Sequence, residues 1–119
     1  MSELTMNEVS KKYNISASTI RYYEHIGLLP KIYRRKNGNR YFTDFIQNLL
    51  EMIVCLRGSG VSVDALKQYI QLTLQGDKTF NQQQEILENQ LNLLKDKQRN
   101  LELSINRLNN KLKLYNPNN

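Results

Sequence analysis

From about Thr79 to Tyr115 the chain contains no Gly or Pro, and Leu87, Leu91, Leu94, Gln98, Leu101, Ile105, Leu108, Leu112 and Tyr115 follow one another at alternating spacings of four and three. This is a heptad seam over about four heptads, interrupted by Gln98 alone. One continuous helix is predicted, on the order of 50 Å long at 1.5 Å per residue. It cannot bury its seam by itself, so a second chain is the expected partner, with Leu87 to Leu112 as the pairing residues. Seven-residue spacing does not choose between parallel and antiparallel pairing. Gln98 at a seam position would give up some stability to fix register, because a buried amide prefers its own kind. Asn116-Pro117-Asn118-Asn119 holds no core-forming residue and reads as a frayed end.

Upstream the periodicity is shorter and the caps are clearer. Thr5 and Glu8 have the spacing of a capping box, with Leu4 and Val9 at the staple positions, which predicts a helix from near Met6 to Tyr13. Asn14 tolerates the left-handed turn that follows. Ser16 then caps a second helix, stapled by Ile15 and Ile20, closed by Gly27 and stopped by Pro30. Farther on, Thr43 can cap a helix through about Arg57, whose Phe45, Leu49, Met52 and Leu56 share one face, and Gly58 and Gly60 end it. Ser62 caps the next, with Val61 and Leu66 as staple and Leu66, Tyr69, Ile70 and Leu74 as its packing positions, until Gly76-Asp77 closes it. The chain divides into a head, residues 1–76, and a tail, residues 77–119.

Two short helices joined by about three residues match a helix-turn-helix, in which the second helix enters a major groove. Any small helical hairpin would share that outline. The second helix differs in what it exposes: Ser18, Thr19, Arg21 and Tyr22 are donors and acceptors for phosphate oxygens, and Arg can reach the O6/N7 edge of guanine. Lys31 to Phe42 follows, with the hairpin signal Asn37-Gly38 between Tyr33 and Tyr41-Phe42 and the positive φ of a type I′ turn expected at both central residues. It carries five Lys or Arg and no acid. A basic ribbon beside a recognition helix reads as a wing, with Arg35, Lys36, Asn39, Arg40 and Tyr41 on the flanking backbone.

Thr5-Met6-Asn7-Glu8-Val9, then Ile20-Arg21-Tyr22-Tyr23-Glu24 with Ile26-Gly27-Leu28, then Asn37-Gly38 with Arg40 and Phe42, resemble the winged-helix head of the MerR family of bacterial transcription regulators. The likeness spans roughly the first 75 residues, and the tail is similar to that family's dimerisation helix. Phe42 stands where the family pattern more often has Tyr. The resemblance implies a mainly α fold, a winged helix-turn-helix head with a small β-hairpin wing, and a long C-terminal helix that joins two heads in an antiparallel coiled coil. It also implies activation by distortion: the dimer would sit on an inverted-repeat promoter whose polymerase elements are too far apart, and realign them for RNA polymerase.

Composition narrows the partners. The net charge of +6 favours nucleic acid, and the head carries most of it, with nine basic against five acidic side chains over residues 1–60 and eight against six beyond. No apolar run approaches a membrane span, and Met1-Ser2-Glu3-Leu4 lacks the pattern of a secretion signal, so a cytoplasmic protein without a membrane partner is expected. Acid, base and nucleophile are not found together, which argues against an enzyme. No cofactor or metal is expected either, since Cys55 is the one thiol and His25 the one imidazole, and His25 reads as a helix-end residue facing the carbonyl dipole.

Cys55 is open to two readings. On a wheel begun at Phe45 it lies about 80° from the middle of the apolar stripe at 100° per residue, a border position where a thiol is either a small packed hydrophobe or within reach of a small molecule. Val54-Cys55-Leu56-Arg57-Gly58-Ser59-Gly60-Val61 with Gln75-Gly76-Asp77 resembles a branch of the family in which a Cys at this place is linked to responses to reactive aldehydes and other electrophiles. The resemblance therefore implies Cys55 as a sensor residue. A competing class, a coiled-coil adaptor whose basic head meets a protein or membrane surface, accounts for the tail equally well. It leaves the side chains of residues 18 to 22 unexplained.

Overall fold

The computed structural model describes residues 3–116; the readings made on Met1-Ser2 and on Pro117-Asn119 lie outside the described residues. In chain order the elements are β1 (Leu4–Thr5), α1 (Met6–Tyr13), α2 (Ala17–His25), β2 (Tyr41–Phe42), α3 (Asp44–Gly58), α4 (Val63–Leu74), a 3-10 turn (Asp77–Thr79) and α5 (Phe80–Lys113). The molecule measures 69 × 35 × 25 Å, the long dimension being a helical tail on a small head.

The caps act as the local sequence requires. The Thr5 hydroxyl accepts from the Glu8 N–H at 3.2 Å while the Glu8 carboxylate accepts from the Thr5 N–H at 2.8 Å, so both halves of the box are made. Thr5→Ala is expected to cost about 1 kcal/mol, read as a lower urea midpoint. An unchanged midpoint would mean that β1 pairing alone fixes this entry. Ser16, Thr43 and Ser62 each accept from the N–H three residues on. Gly27, at φ 81°, lets the Leu28 N–H reach the Tyr23 carbonyl at 2.9 Å and its own N–H reach that of Glu24 at 3.2 Å. This Schellman closure turns the chain straight into the apolar run Leu28-Leu29.

One core fills the head. Val9 of α1, Ile20 of α2, Leu28, Leu29 and Ile32 of the following loop, Phe42 of β2, Ile46, Leu50 and Ile53 of α3, and Val61, Leu66 and Ile70 at α4 are all buried. Phe42, the residue that departs from the family pattern, is thus a core residue. The α3 face differs from the stripe expected on spacing: Phe45 is 55% exposed and Leu49, Met52 and Leu56 are only partly covered. Apolar residues occur on nearly every side of α3, so period could not choose among faces. Phe42, entering the core just before the Thr43 cap, decides it. Leu74 of α4 also differs, being exposed.

The wing is a hairpin of a different kind from the one expected. Its turn holds Lys36, Asn37 and Gly38 between Arg35 and Asn39: the Gly38 N–H donates to the Arg35 carbonyl and the Arg35 N–H to that of Asn39, both at 2.8 Å. Gly38 takes φ 88° but Asn37 does not take positive φ, so this is a three-residue loop closed by a glycine bulge rather than a type I′ turn. Beyond the Arg34–Arg40 bridge the sheet continues with a strand the periodicity did not reveal, β1, antiparallel to β2 with Leu4 opposite Phe42 and Thr5 opposite Tyr41. The start of the chain thereby anchors the base of the wing.

The turn into α5 is held by side chains. The Thr79 hydroxyl lies 2.6 Å from the Leu72 carbonyl oxygen and 2.9 Å from that of Gly76, and the Gln83 amide donates to the Thr79 oxygen at 2.9 Å. The first half of α5 then lies along α4 through Gln83, Ile86, Gln90 and Leu94, which are half-buried. A Cβ at Gly60 would collide with the Lys97 ammonium, so α5 passes close over the end of α3. Past this point the helix leaves the head, and Leu101, Ile105, Leu108 and Leu112 stand exposed along one side. Apart from Leu94, which packs on the head, the apolar residues of the heptad seam are therefore uncovered on the single chain.

Candidate nucleic-acid interface

The second helix offers its side chains unevenly. Arg21 and Tyr22 are exposed, whereas the ring of Tyr23, tilted 47° to that of Tyr22 at 6.3 Å, packs against the core. Ser18 is exposed, with its hydroxyl 3.1 Å from that of Ser16, and the half-buried Thr19 hydroxyl is 2.8 Å from the same oxygen. The cap, Ser18 and Thr19 therefore form one hydroxyl cluster at the start of α2. There the helix dipole and free N–H groups favour an anion.

Aromatic stacking stiffens the wing. Tyr33 and Tyr41 stack with ring centroids 5.7 Å apart, and the Arg35 guanidinium sits 4.7 Å over the Tyr41 ring, a cation–π layer that holds a flat cation on the wing surface. Arg35 also makes an exposed ion pair with Glu3 at 3.4 Å. Lys36 and Asn39 at the tip are exposed. Arg34, which sequence reasoning passed over, donates to the Gly38 carbonyl at 3.1 Å and so braces the turn from beneath.

Arg40 departs most from expectation. Instead of reaching outward it is 18% exposed, its Nε donating at 2.9 Å to Oε1 of Glu24, which is 13% exposed. Spacing could not show this pairing across 16 residues. An open groove of about 540 Å³ runs between α1, α2 and the wing, lined by Thr5, Met6, Asn7, Arg21, Arg34, Gly38, Asn39 and Arg40. Three guanidinium groups and the capped start of α1 thus face one concave strip, a surface chemistry suited to a phosphodiester backbone.

Cys55 lies elsewhere. Measured from the observed core face of Ile46, Leu50 and Ile53, it is about 170° around α3 at 100° per residue, exposed and away from the core rather than on its border. No helix of the described residues is long and apolar enough to cross a membrane.

Comparison with known proteins gives a consistent result. An HTH-type transcriptional regulator of Bacillus subtilis strain 168, AdhR, is 34% identical over 71% of this chain and 60% of its own length. An HTH-type regulator of Haemophilus influenzae, uncharacterised, is 34% identical over 93% of this chain and 82% of its own. Among solved structures, a MerR family transcriptional regulator from Listeria monocytogenes matches with a TM-score of 0.90 and 34% identity, covering 95% of this chain and 86% of that one. HiNmlR, described as a MerR family regulator lacking the sensor domain and bound to promoter DNA, matches with a TM-score of 0.86 and 33% identity over 96% of this chain and 90% of that one. These relatives are regulators of transcription, not enzymes. Residues 4–73 match the model of the MerR HTH family of regulatory proteins, and together with the winged helix-turn-helix head and the relatives that span most of its length this establishes that the chain belongs to the MerR family.

Proposed function

We propose that this MerR-type transcription regulator binds an inverted-repeat promoter operator as a homodimer. The head, residues 1–76, does the reading and the tail, residues 77–119, joins two heads in an antiparallel coiled coil through Leu87, Leu91, Leu94, Gln98, Leu101, Ile105, Leu108 and Leu112. Ser18, Thr19, Arg21 and Tyr22 lie in the major groove of each half-site, and Arg35, Lys36, Asn39, Arg40 and Tyr41 hold the backbone beside it. The observation that carries this reading is the concave basic strip shared by α1, the recognition helix and an acid-free wing. A relative of 33% identity described as bound to promoter DNA supports it.

The dimer acts on RNA polymerase by deforming the promoter. Bending and untwisting a site costs on the order of 1–6 kcal/mol, which many phosphate contacts can supply. The test is selection from a random duplex library: two copies of one short sequence in inverted orientation at one spacing are expected. Enrichment of no sequence would favour an adaptor whose basic head reads no DNA.

Cys55 is the sensing residue in this scheme, reacting with an electrophile on the exposed side of α3. Its exposure supports the role, since a thiol must be reached before it can react. A short aldehyde or an alkylating agent is expected to add mass to the Cys55 peptide and to change promoter output in vitro, and Cys55→Ser is expected to abolish both changes. A Cys55→Ser protein whose output responds as fully as the native one would move the signal to a non-covalent ligand.

A further inference from the structure

Glu24 is an acidic residue in the last turn of a helix that must approach a polyanion, and it uses both carboxylate oxygens. Oε2 accepts from the backbone N–H of Ile32 at 2.6 Å, and Oε1 accepts from Arg40 Nε at 2.9 Å. Ile32 is a buried core residue at the start of the segment that leads into the wing, and Arg40 is on the wing's returning strand, bridged to Arg34. One side chain thus ties the recognition helix to both legs of the wing. Exposed ion pairs contribute little, but this pair is largely removed from water and its bonds are short and charge-assisted.

The pair also aims a cation. With Nε held by Glu24, the remaining N–H groups of the Arg40 guanidinium have no other protein partner among the described residues, and Arg40 lines the same groove as Arg21 and Arg34. A fork fixed at one edge presents its other edge in a set direction, as bidentate recognition of a phosphate requires. The negative charge of Glu24, which alone would repel DNA, is screened by the cation it orients.

We propose that Glu24 is the positioning residue of the interface: touching no DNA itself, it holds the recognition helix and the wing at one separation, so that a base contact and the flanking phosphate contact are made together or not at all. This rests on the DNA-binding reading above. It explains why an acid-free wing is followed back to a single acid on the neighbouring helix, and why Arg40 is bonded within the protein instead of reaching freely into solvent. Sequence specificity is then a property of the rigid pair of elements, not of α2 alone.

The experiment uses the full-length protein, its selected duplex and a scrambled duplex, with affinities measured across a salt series. Glu24→Gln can still accept from Ile32 but cannot hold the guanidinium by charge, and it is expected to lower affinity for the selected duplex about tenfold or more while affinity for the scrambled one holds or rises. Arg40→Lys retains the charge without the fork, and is expected to lose specificity with an unchanged salt slope. Should Glu24→Gln fail to fold, Arg40→Lys alone decides. A proportional fall on both duplexes, or specificity retained in the folded variants, would overturn the proposal and leave Glu24 a stabilising residue only. A native protein that selects no sequence would instead sink the DNA-binding reading, so the two failures are distinguishable.

Discussion

Leu101→Asp is expected to split the dimer and to remove operator binding. In the single chain Leu101 is 63% exposed, at the middle of a stripe that continues through Ile105, Leu108 and Leu112 on the part of α5 beyond the head. Pairing two such stripes removes these side chains from water. A carboxylate placed there must be desolvated without a partner, which an apolar seam does not tolerate. In the proposed dimer, operator binding depends on that pairing because two joined heads bind their half-sites with a local concentration in the millimolar range, and separation forfeits about 10²–10⁴ in avidity. Light scattering after gel filtration should show a monomer, and a gel shift should show no complex at concentrations that saturate the native protein. Leu103→Asp, on the opposite side of the same turns, is the control and should leave the dimer whole. A Leu101→Asp protein that still bound as a dimer would take the tail out of the mechanism.

The second large effect concerns which cation reads and which one only holds. Arg21→Ala should weaken binding by about 1–3 kcal/mol and relax preference at one position in each half-site, as loss of a bidentate base contact does. Lys36→Ala should weaken every duplex alike and flatten the dependence on salt, because a wing-tip ammonium meets phosphate without regard to sequence. The geometry favours this division: Arg21 is exposed on the recognition helix, and Lys36 stands at the tip of the hairpin. Selected libraries and salt titrations on both variants measure it. Indistinguishable results would mean that base reading belongs to another residue, with Tyr22 the next to examine.

What could be read in advance was whatever chemistry acts over a few residues. Thr5 with Glu8, Ser16, Thr43, Ser62 and the glycine at 27 speak to neighbours within a turn, and α1 to α4 begin, and α2 closes, where these residues require. Exposure of Arg21 and Tyr22 followed from the same local logic. Pairings that span the chain left no such trace. Leu4 and Phe42, the two-residue strands that root the wing, are too short for any period. Glu24 with Arg40 looks like two unrelated charges until the fold closes.

Gln47 gives the same lesson from within the core. It is buried, its amide donating to the Phe42 carbonyl at 2.9 Å and its oxygen accepting from Lys12 at 3.1 Å, so one side chain joins α1, β2 and α3. On a helical wheel it is simply a polar residue next to Ile46. The expected burial of Phe45 failed for the complementary reason: α3 offered several apolar faces, and only packing against Phe42 could select among them. Cys55 moved with that selection, from the margin of the core to open surface.

The docking of α5 fixes a phase. Gln83, Ile86, Gln90 and Leu94 pack on the head, Leu101, Ile105, Leu108 and Leu112 continue the face of Leu94 beyond it, and no Gly or Pro interrupts the rod that carries both sets. Each residue advances a helix by about 100°, so inserting a single residue between Leu94 and Leu101 would swing the outer stripe by that angle while leaving every contact in the head intact. In the proposed dimer the two heads would then be turned relative to each other and could no longer meet both half-sites in one orientation. Inserting seven residues restores the angle to within about 20° and lengthens the rod by ~10 Å. If two heads are joined as proposed, the admissible lengths of this helix are quantised, and with them the half-site spacings that descendants of this chain can come to recognise.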